Sequence, residues 1–127
     1  MAGFDTHLRA MVDRLGGALA ATLMGADGIP VETVETSDLA AYEGLDLSSL
    51  LVEYSTVLTQ VQRTGDVFAA GPVEELTIRS ERLTTLIRPV TSEYFVALAL
   101  GPTANTGKGR FLHLRDGASR QRFLKQR

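Results

Sequence analysis

The chain has 127 residues, of which 44% are hydrophobic and 22% charged, and it contains no cysteine. This length predicts a single domain, and the apolar fraction is too high for a chain that is disordered throughout. The lack of cysteine excludes a disulfide scaffold, a thiolate metal site and a cysteine nucleophile. No apolar run reaches the roughly 20 residues of a membrane-spanning helix, and the N-terminus is not typical of a signal peptide, so we expect a cytoplasmic protein without membrane insertion.

The charge is divided between two parts of the chain. The net charge of −2 combines 13 basic and 15 acidic residues. Segment 108–127 has seven basic residues and one acidic residue, which leaves an acidic body with a charge of −8. This division favours protein partners over a nucleic acid, because the body repels phosphates and the basic segment lacks interleaved aromatic residues. A simple solubilising tail is the alternative.

The first third of the chain predicts a helix followed by a hairpin. A helix is expected over residues 1–15, where one helical face carries Phe4, Leu8, Met11, Val12 and Leu15. Strands are expected over 18–24 and 29–34, on either side of the turn Gly25-Ala26-Asp27-Gly28. Pro30 cannot donate a hydrogen bond, so the second strand is expected at a sheet edge.

A long helix is predicted in the middle of the chain, after a polar, acidic loop over residues 35–44. Either Asp46 or Ser48 can cap its N-terminus, and Gly71-Pro72 is expected to end it. Its apolar stripe consists of Leu47, Leu50, Leu51, Tyr54, Val57, Leu58 and Val61, extended by Phe68.

The last third predicts strands over 73–80, 83–90 and 94–100, then a short helix over about 105–114 and a basic tail over 116–127. The strand 94–100 is apolar on both faces, so we place it at the centre of the sheet. Short connecting turns indicate antiparallel strands. The resulting expectation is an α+β sandwich of three layers, with helices on both faces of the sheet.

Motifs for catalysis are incomplete. Five residues separate Gly101 from Gly107-Lys108, and Gly109 stands where a phosphate loop has a hydroxyl residue, so this segment departs from the nucleotide-binding pattern. His7 and His113 lie on separate terminal helices, and neither has a second metal ligand at helical spacing. We therefore expect no catalytic residue, cofactor or metal site. The alternative, from another class of function, is a nucleotide-binding domain that uses the Gly107-Lys108 loop.

Two features predict contacts between copies of the chain. The long helix is more apolar than one sheet face requires, and strand 73–80 follows Gly-Pro, which suits an exposed sheet edge. The expected homodimer interface comprises Leu51, Val52, Tyr54, Leu76 and Ile78. The alternative is that Val52 and Tyr54 pack under the acidic loop.

The order and spacing of these elements resemble the roadblock / dynein light chain family over residues 4–115. The resemblance lies in the two helices, the hairpin Asp27-Gly28-Ile29-Pro30-Val31, the strand Glu75-Leu76-Thr77-Ile78, and Ala104-Asn105-Thr106-Gly107-Lys108-Gly109-Arg110. It implies a roadblock-type domain over 1–115 and a tail over 116–127. It also implies a profilin-like, five-stranded antiparallel sheet, with the long helix on one face and the N- and C-terminal helices on the other, and a homodimer.

Within this family, Leu51-Val52-Glu53-Tyr54-Ser55 and Ser92-Glu93-Tyr94-Phe95 are similar to Mgl-type regulators of bacterial polarity and gliding motility, in the branch paralogous to the GTPase-activating protein MglB. The resemblance implies a non-enzymatic adaptor that is recruited to cell poles. Expected partners are an MglB-type protein, a response-regulator-like polarity protein and an MglA-type small GTPase. Direct activation of the GTPase is the alternative. The hairpin tip at Ala26, Asp27 and Ile29 is the expected partner contact, because little lies nearby to bury the isoleucine.

Overall fold

The computed structural model describes residues 2–102 and 104 of the chain. Two helices, α1 at Ala2–Asp13 and α2 at Leu47–Val67, flank a sheet, and a short 3-10 helix covers Ser37–Ala41. The strands are β1 at Ala18–Gly25, β2 at Pro30–Glu35, β3 at Leu76–Arg79, β4 at Thr84–Pro89 and β5 at Tyr94–Leu100. The predicted helix over 105–114 and the tail over 116–127 lie outside the described residues.

All five strands form one antiparallel sheet in the order β2-β1-β5-β4-β3. The predicted central position of the last strand is confirmed, since β5 lies in the middle and nearly all of it is buried. β2 is an edge strand, as Pro30 indicated, and β3 is the opposite edge.

The helix α1 covers one face of the sheet with the apolar stripe that the sequence predicts. Phe4, Leu8 and Met11 are among its fully buried side chains. They pack in one cluster with side chains of β1, β4 and β5 that include Leu23 and Leu98. Alternate residues of the same strands point to the other face, so the sheet separates two apolar layers.

The helix α2 covers the second face, and Asp46 is its N-cap. The Asp46 carboxylate accepts hydrogen bonds from the Ser49 amide at 3.2 Å and from the Ser49 hydroxyl at 2.7 Å. Below the cap, the helix buries Leu47, Leu51, Ser55 and Leu58. The leucines join a second cluster with residues of β1, β4 and β5, which completes the three layers.

Three local expectations are corrected by the structure. The expected acidic loop contains the 3-10 helix Ser37–Ala41. The long helix ends at Val67, before Gly71-Pro72. Phe68 was expected to extend the apolar stripe of this helix, but it is the C-cap residue and is 78% exposed.

The third correction concerns β3, which begins at Leu76 rather than at residue 73. The Ser80 amide donates to the Leu83 carbonyl oxygen at 2.9 Å, so these two residues form a hydrogen-bonded pair. Such pairs recur at every second position of an antiparallel ladder, which makes Leu76 and Ile87 another hydrogen-bonded pair. The next hydrogen-bonding position on β4 is therefore Pro89. Proline has no amide hydrogen to donate, so the pairing stops there.

Candidate partner-binding surfaces

The turn between β1 and β2 forms the hairpin tip, which consists of residues 25–29. The Gly28 amide donates to the Gly25 carbonyl oxygen at 2.9 Å, and the Asp27 carboxylate accepts from the Ile29 amide at 3.0 Å. Gly28 has a φ of 87°, a backbone conformation that residues with a Cβ rarely adopt. The turn expected from the Asp-Gly pair is therefore confirmed, with a positive φ at Gly28 and not at Asp27.

The hairpin tip is held from two sides. The Ala26 amide donates to the Glu93 carbonyl oxygen at 2.8 Å, which ties the tip to the turn between β4 and β5. On the other side, a Cβ added to Gly28 would lie 3.2 Å from the Ser55 hydroxyl oxygen of α2 and 3.6 Å from Val52 Cγ1. The tip is thus fixed against both the sheet and the long helix before any partner binds.

An apolar surface is exposed at this fixed tip. Ile29 is 63% exposed and Val31, two residues further along β2, is 41% exposed. A groove of about 450 Å³ runs between the tip and the β4–β5 turn, and it is lined in part by Ala26, Asp27, Ile29, Val31, Glu93 and Tyr94. The structure therefore brings the three expected contact residues together.

Sequence reasoning missed Val31 and Tyr94 at this site. Val31 could have been found from its alternation with Ile29 on a strand that Pro30 marks as an edge. No local pattern indicates Tyr94, because its place beside the hairpin depends on β5 pairing with β1 between distant parts of the chain.

A second apolar surface lies along α2. At 100° per residue, Leu50, Tyr54, Val57 and Val61 occupy one side of the helix, about 100° away from the buried stripe. Val57 is 40% exposed, and the other three are only partly buried. Between this side and residues 70–73 lies a groove of about 540 Å³, whose apolar lining includes Val57, Val61, Ala70, Pro72 and Val73.

The five residues expected at a dimer interface fall in different places. Leu51 is 4% exposed and belongs to the core of its own molecule. Val52 is 40% exposed, but it faces the hairpin tip, about 180° around the helix from the groove. Tyr54 and Leu76 are partly buried against the same core cluster, and Ile78 is half-buried on β3, two residues beyond Leu76.

The repeat of Leu50, Tyr54, Val57 and Val61 at intervals of four, three and four residues was visible in the sequence as the signal for the groove side.

An ion pair lies beside the β3 edge, where Arg88 Nη1 is 3.5 Å from Glu75 Oε1. The hydroxyl of Thr77 donates to the other oxygen of the same carboxylate at 2.8 Å. These bonds hold polar side chains at the entry to β3.

Neither a metal site nor a membrane span is found within residues 2–102 and 104. No three His, Cys, Asp or Glu side chains of that part cluster as metal ligands would, and none of its helices has the length and apolarity to cross a bilayer. His113 and the Gly107-Lys108 loop lie outside it.

No family model and no curated protein matches the sequence, whereas many solved structures do. The chain belongs to the roadblock/LC7 family. It is similar to MglC from Myxococcus xanthus, with 39% sequence identity, a TM-score of 0.63, and coverage of 94% of this chain and 96% of that one. It is thus an MglC-like roadblock protein.

Two further structures share the fold at lower identity. The roadblock/LC7 domain from Streptomyces avermitilis has 16% identity and a TM-score of 0.79, over 95% of this chain and 97% of that one. The gliding protein MglB from Thermus thermophilus has 18% identity and a TM-score of 0.82, over 96% and 88%. The backbone overlay is thus better with MglB, whereas sequence identity is higher with MglC.

Proposed function

We propose that this protein is a non-enzymatic homodimeric adaptor in a bacterial polarity module of the Mgl type. The observation that carries the proposal is the 39% identity with MglC over nearly the full length of both chains. The proposed partners are an MglB-type roadblock protein and a response-regulator-like polarity protein, which link the adaptor to an MglA-type GTPase.

The α2 groove and the β3 edge support the homodimer. A stripe with spacing of four, three and four residues packs well against a second copy of itself, as in helix pairs with apolar heptads. β3 is an edge strand whose Leu76 packs against the same core cluster as Leu50 and Tyr54 of that stripe, and its outward backbone groups are available for pairing. A two-fold axis would use both surfaces at once, because such an interface is self-complementary.

The hairpin tip supports binding to a different protein. Ile29 and Val31 are exposed on a turn that is already fixed, so binding requires little ordering of the backbone. The tip contacts the Val52 side of α2, whereas the proposed dimer groove lies at Val57 and Val61 on the other side. A homodimer therefore leaves both hairpin tips accessible.

The test is reconstitution with the MglB-type and MglA-type proteins of the same organism. Light scattering after size exclusion should show a homodimer alone and a larger complex with the MglB-type protein. Phosphate release by the GTPase should not rise when this protein is added alone. A monomer, or failure to bind any protein of the module, would overturn the proposal.

Direct activation of the GTPase is the second candidate, favoured by the TM-score of 0.82 with MglB. Faster phosphate release with this protein alone would establish it in place of the adaptor role. Titration with labelled GTP in the absence of the GTPase tests the remaining alternative, nucleotide binding through Gly107-Lys108.

A further inference from the structure

The outer edge of β2 carries backbone groups that point away from the sheet. The Thr36 amide donates to the Leu19 carbonyl oxygen at 2.9 Å, so these two residues form a hydrogen-bonded pair. Such pairs alternate with non-hydrogen-bonded pairs along an antiparallel ladder. Because Thr33 lies opposite Thr22 in this register, the backbones of Thr33 and Glu35 face outward.

One end of this edge is covered from within the molecule. Arg9 Nη1 donates to the Glu35 carbonyl oxygen at 3.1 Å, which satisfies one outward acceptor. The outward backbone groups of Thr33 have no corresponding hydrogen bond among residues 2–102 and 104. An open strand edge of this kind accepts an extended segment as an additional strand.

Acidic side chains surround the open edge. Glu32 is half-buried, and Glu35 and Asp38 are exposed. None of the three forms a salt bridge with another residue in the described part of the chain. They belong to the stretch between Arg14 and Arg63, which has no basic residue. A segment that pairs along this edge is therefore expected to be basic, because charge complementarity favours it and like charge is repelled.

The chain leaves its described part close to this edge. The Gly101 amide donates to the Gly17 carbonyl oxygen at 2.7 Å, and a Cβ added to Gly17 would lie 3.2 Å from Ala104. Leu19, two residues beyond Gly17, pairs with Thr36 at the end of β2. Strand spacings place Ala104 within about 15 Å of Thr36.

The length and charge of the following segment fit the edge. Eleven residues, 105–115, separate Ala104 from residues 116–127, and a chain of eleven residues can bridge about 15 Å in either a helical or an extended form. That last segment has one acidic residue, Asp116, and the basic residues Arg120, Arg122, Lys125 and Arg127. Because it is tethered to the same molecule, its effective concentration at the edge is on the order of millimolar, which compensates for modest affinity.

We propose that residues 116–127 dock along the outer edge of β2 of the same molecule. Thr33 is the central backbone pairing position, and the basic side chains face Glu32, Glu35 and Asp38. The docked segment covers the only end of the sheet that the proposed homodimer leaves open among the described strands.

Paramagnetic relaxation of the full chain tests the proposal, and the absence of cysteine allows labelling at one introduced site. A nitroxide at Gln126→Cys should broaden the amide signals of Thr33 and Val34 at low salt. Salt should reduce the broadening, because ions screen exposed charges. Replacing Arg120, Arg122 and Lys125 with glutamine should abolish it.

Two substitutions at one position separate strand pairing from charge attraction alone. Thr33→Ala and Thr33→Pro both remove the hydroxyl contact with Thr22 Oγ1 at 3.3 Å, but only the proline removes the outward amide. Broadening of Val34 should persist in Thr33→Ala and be lost in Thr33→Pro. Equal broadening in both variants would overturn the pairing.

Amide exchange gives an independent measurement on the unlabelled protein. The Thr33 amide should exchange about tenfold more slowly in the full chain than in the variant with the three glutamines. The Val34 amide, which bonds to β1, should be unchanged and serves as the internal reference. The proposal is wrong if Thr33 exchanges equally in both proteins. It is also wrong if the broadening arises only between labelled and unlabelled molecules in a mixed sample.

Discussion

The Ala26 amide donates to the Glu93 carbonyl oxygen at 2.8 Å and so joins two turns that are distant in the sequence. This bond continues the ladder between β1 and β5 beyond the ends of both strands. It fixes the hairpin tip relative to the β4–β5 turn, where Tyr94 begins the central strand. The apolar groove beside Ile29 is therefore preformed, and its contribution to binding can be tested without changing the fold.

Replacing Ile29 with aspartate should weaken binding of the MglB-type partner by at least about tenfold, because burying a carboxylate without a partner in an apolar contact costs more than the roughly 1.4 kcal/mol that a tenfold change requires. The side chain is 63% exposed, so the thermal midpoint should change little. Ile29→Val is the matched control and should retain most of the affinity. Calorimetric titration measures both. Unchanged binding by a folded Ile29→Asp variant would remove the hairpin tip from the interface.

Two valines of α2 give a matched test of the homodimer. Val52 and Val57 are both 40% exposed and lie on the same helix, but only Val57 lines the groove against residues 70–73. Val57→Lys should shift the protein toward monomer, because a buried charge without a partner opposes association. Val52→Lys should remain dimeric. Sedimentation equilibrium compares the two, and the reverse result would support the interface expected from the sequence.

Pairing through β3 can be tested at Arg79. The Ser80–Leu83 hydrogen bond places the Arg79 backbone in a non-hydrogen-bonded position opposite Thr84, so its amide points outward. Arg79→Pro should weaken the dimer without removing a bond to β4, whereas Arg79→Ala should not. Dimer dissociation constants from dilution series distinguish these results. Equal constants for the two variants would exclude this amide from the interface.

Some residues of these surfaces were predictable from the sequence, and others were not. The 3.6-residue period identified both helices, and Asp27-Gly28 identified the turn, since these signals depend on neighbours in the sequence. Ser55 was missed as a buried residue of α2 because it is polar. It is buried because Gly28 approaches the helix, a contact between elements that local patterns do not encode.

Val52 illustrates a second kind of information that the sequence lacks. The sequence shows that it lies outside the main apolar stripe, which is true, but it does not show on which flank of α2 a second molecule would lie. The structure adds that the hairpin tip lies on the Val52 flank, and Val52 as a dimer contact stays a prediction. The residue at which β3 begins was also not predictable from local patterns, since it depends on the register that brings Pro89 opposite residue 74.

Asp46 should make the stability of α2 depend on pH. Hydrogen bonds from the Ser49 hydroxyl and, to a smaller extent, the Ser49 amide hold the pKa of Asp46 below its ordinary value. A carboxylate with a lowered pKa in the folded state stabilises the fold above its unfolded pKa, and this contribution is lost as pH falls through the folded value. Asp46→Ala should lower the thermal midpoint at neutral pH, and the difference should shrink in acid. Asp46→Asn, which keeps an acceptor, should lose less stability. A constant difference for Asp46→Ala across the whole range would contradict the titration.

Thr85 should be stabilised by replacement with valine, although it lies in the core. Its side chain is 1% exposed, and its hydroxyl oxygen has no hydrogen-bond partner among the described residues. Valine has nearly the same shape and removes the cost of burying an unsatisfied hydroxyl, so the free energy of unfolding should rise by about 1 kcal/mol. Thr22→Val is the matched control, because Thr22 is equally buried but bonded to Thr33 at 3.3 Å. It should bring no such gain, since the buried hydroxyl that it removes already has a hydrogen bond. Urea denaturation of both variants measures the difference. A loss of stability in Thr85→Val would mean that the hydroxyl has a partner, such as a buried water molecule, beneath α2.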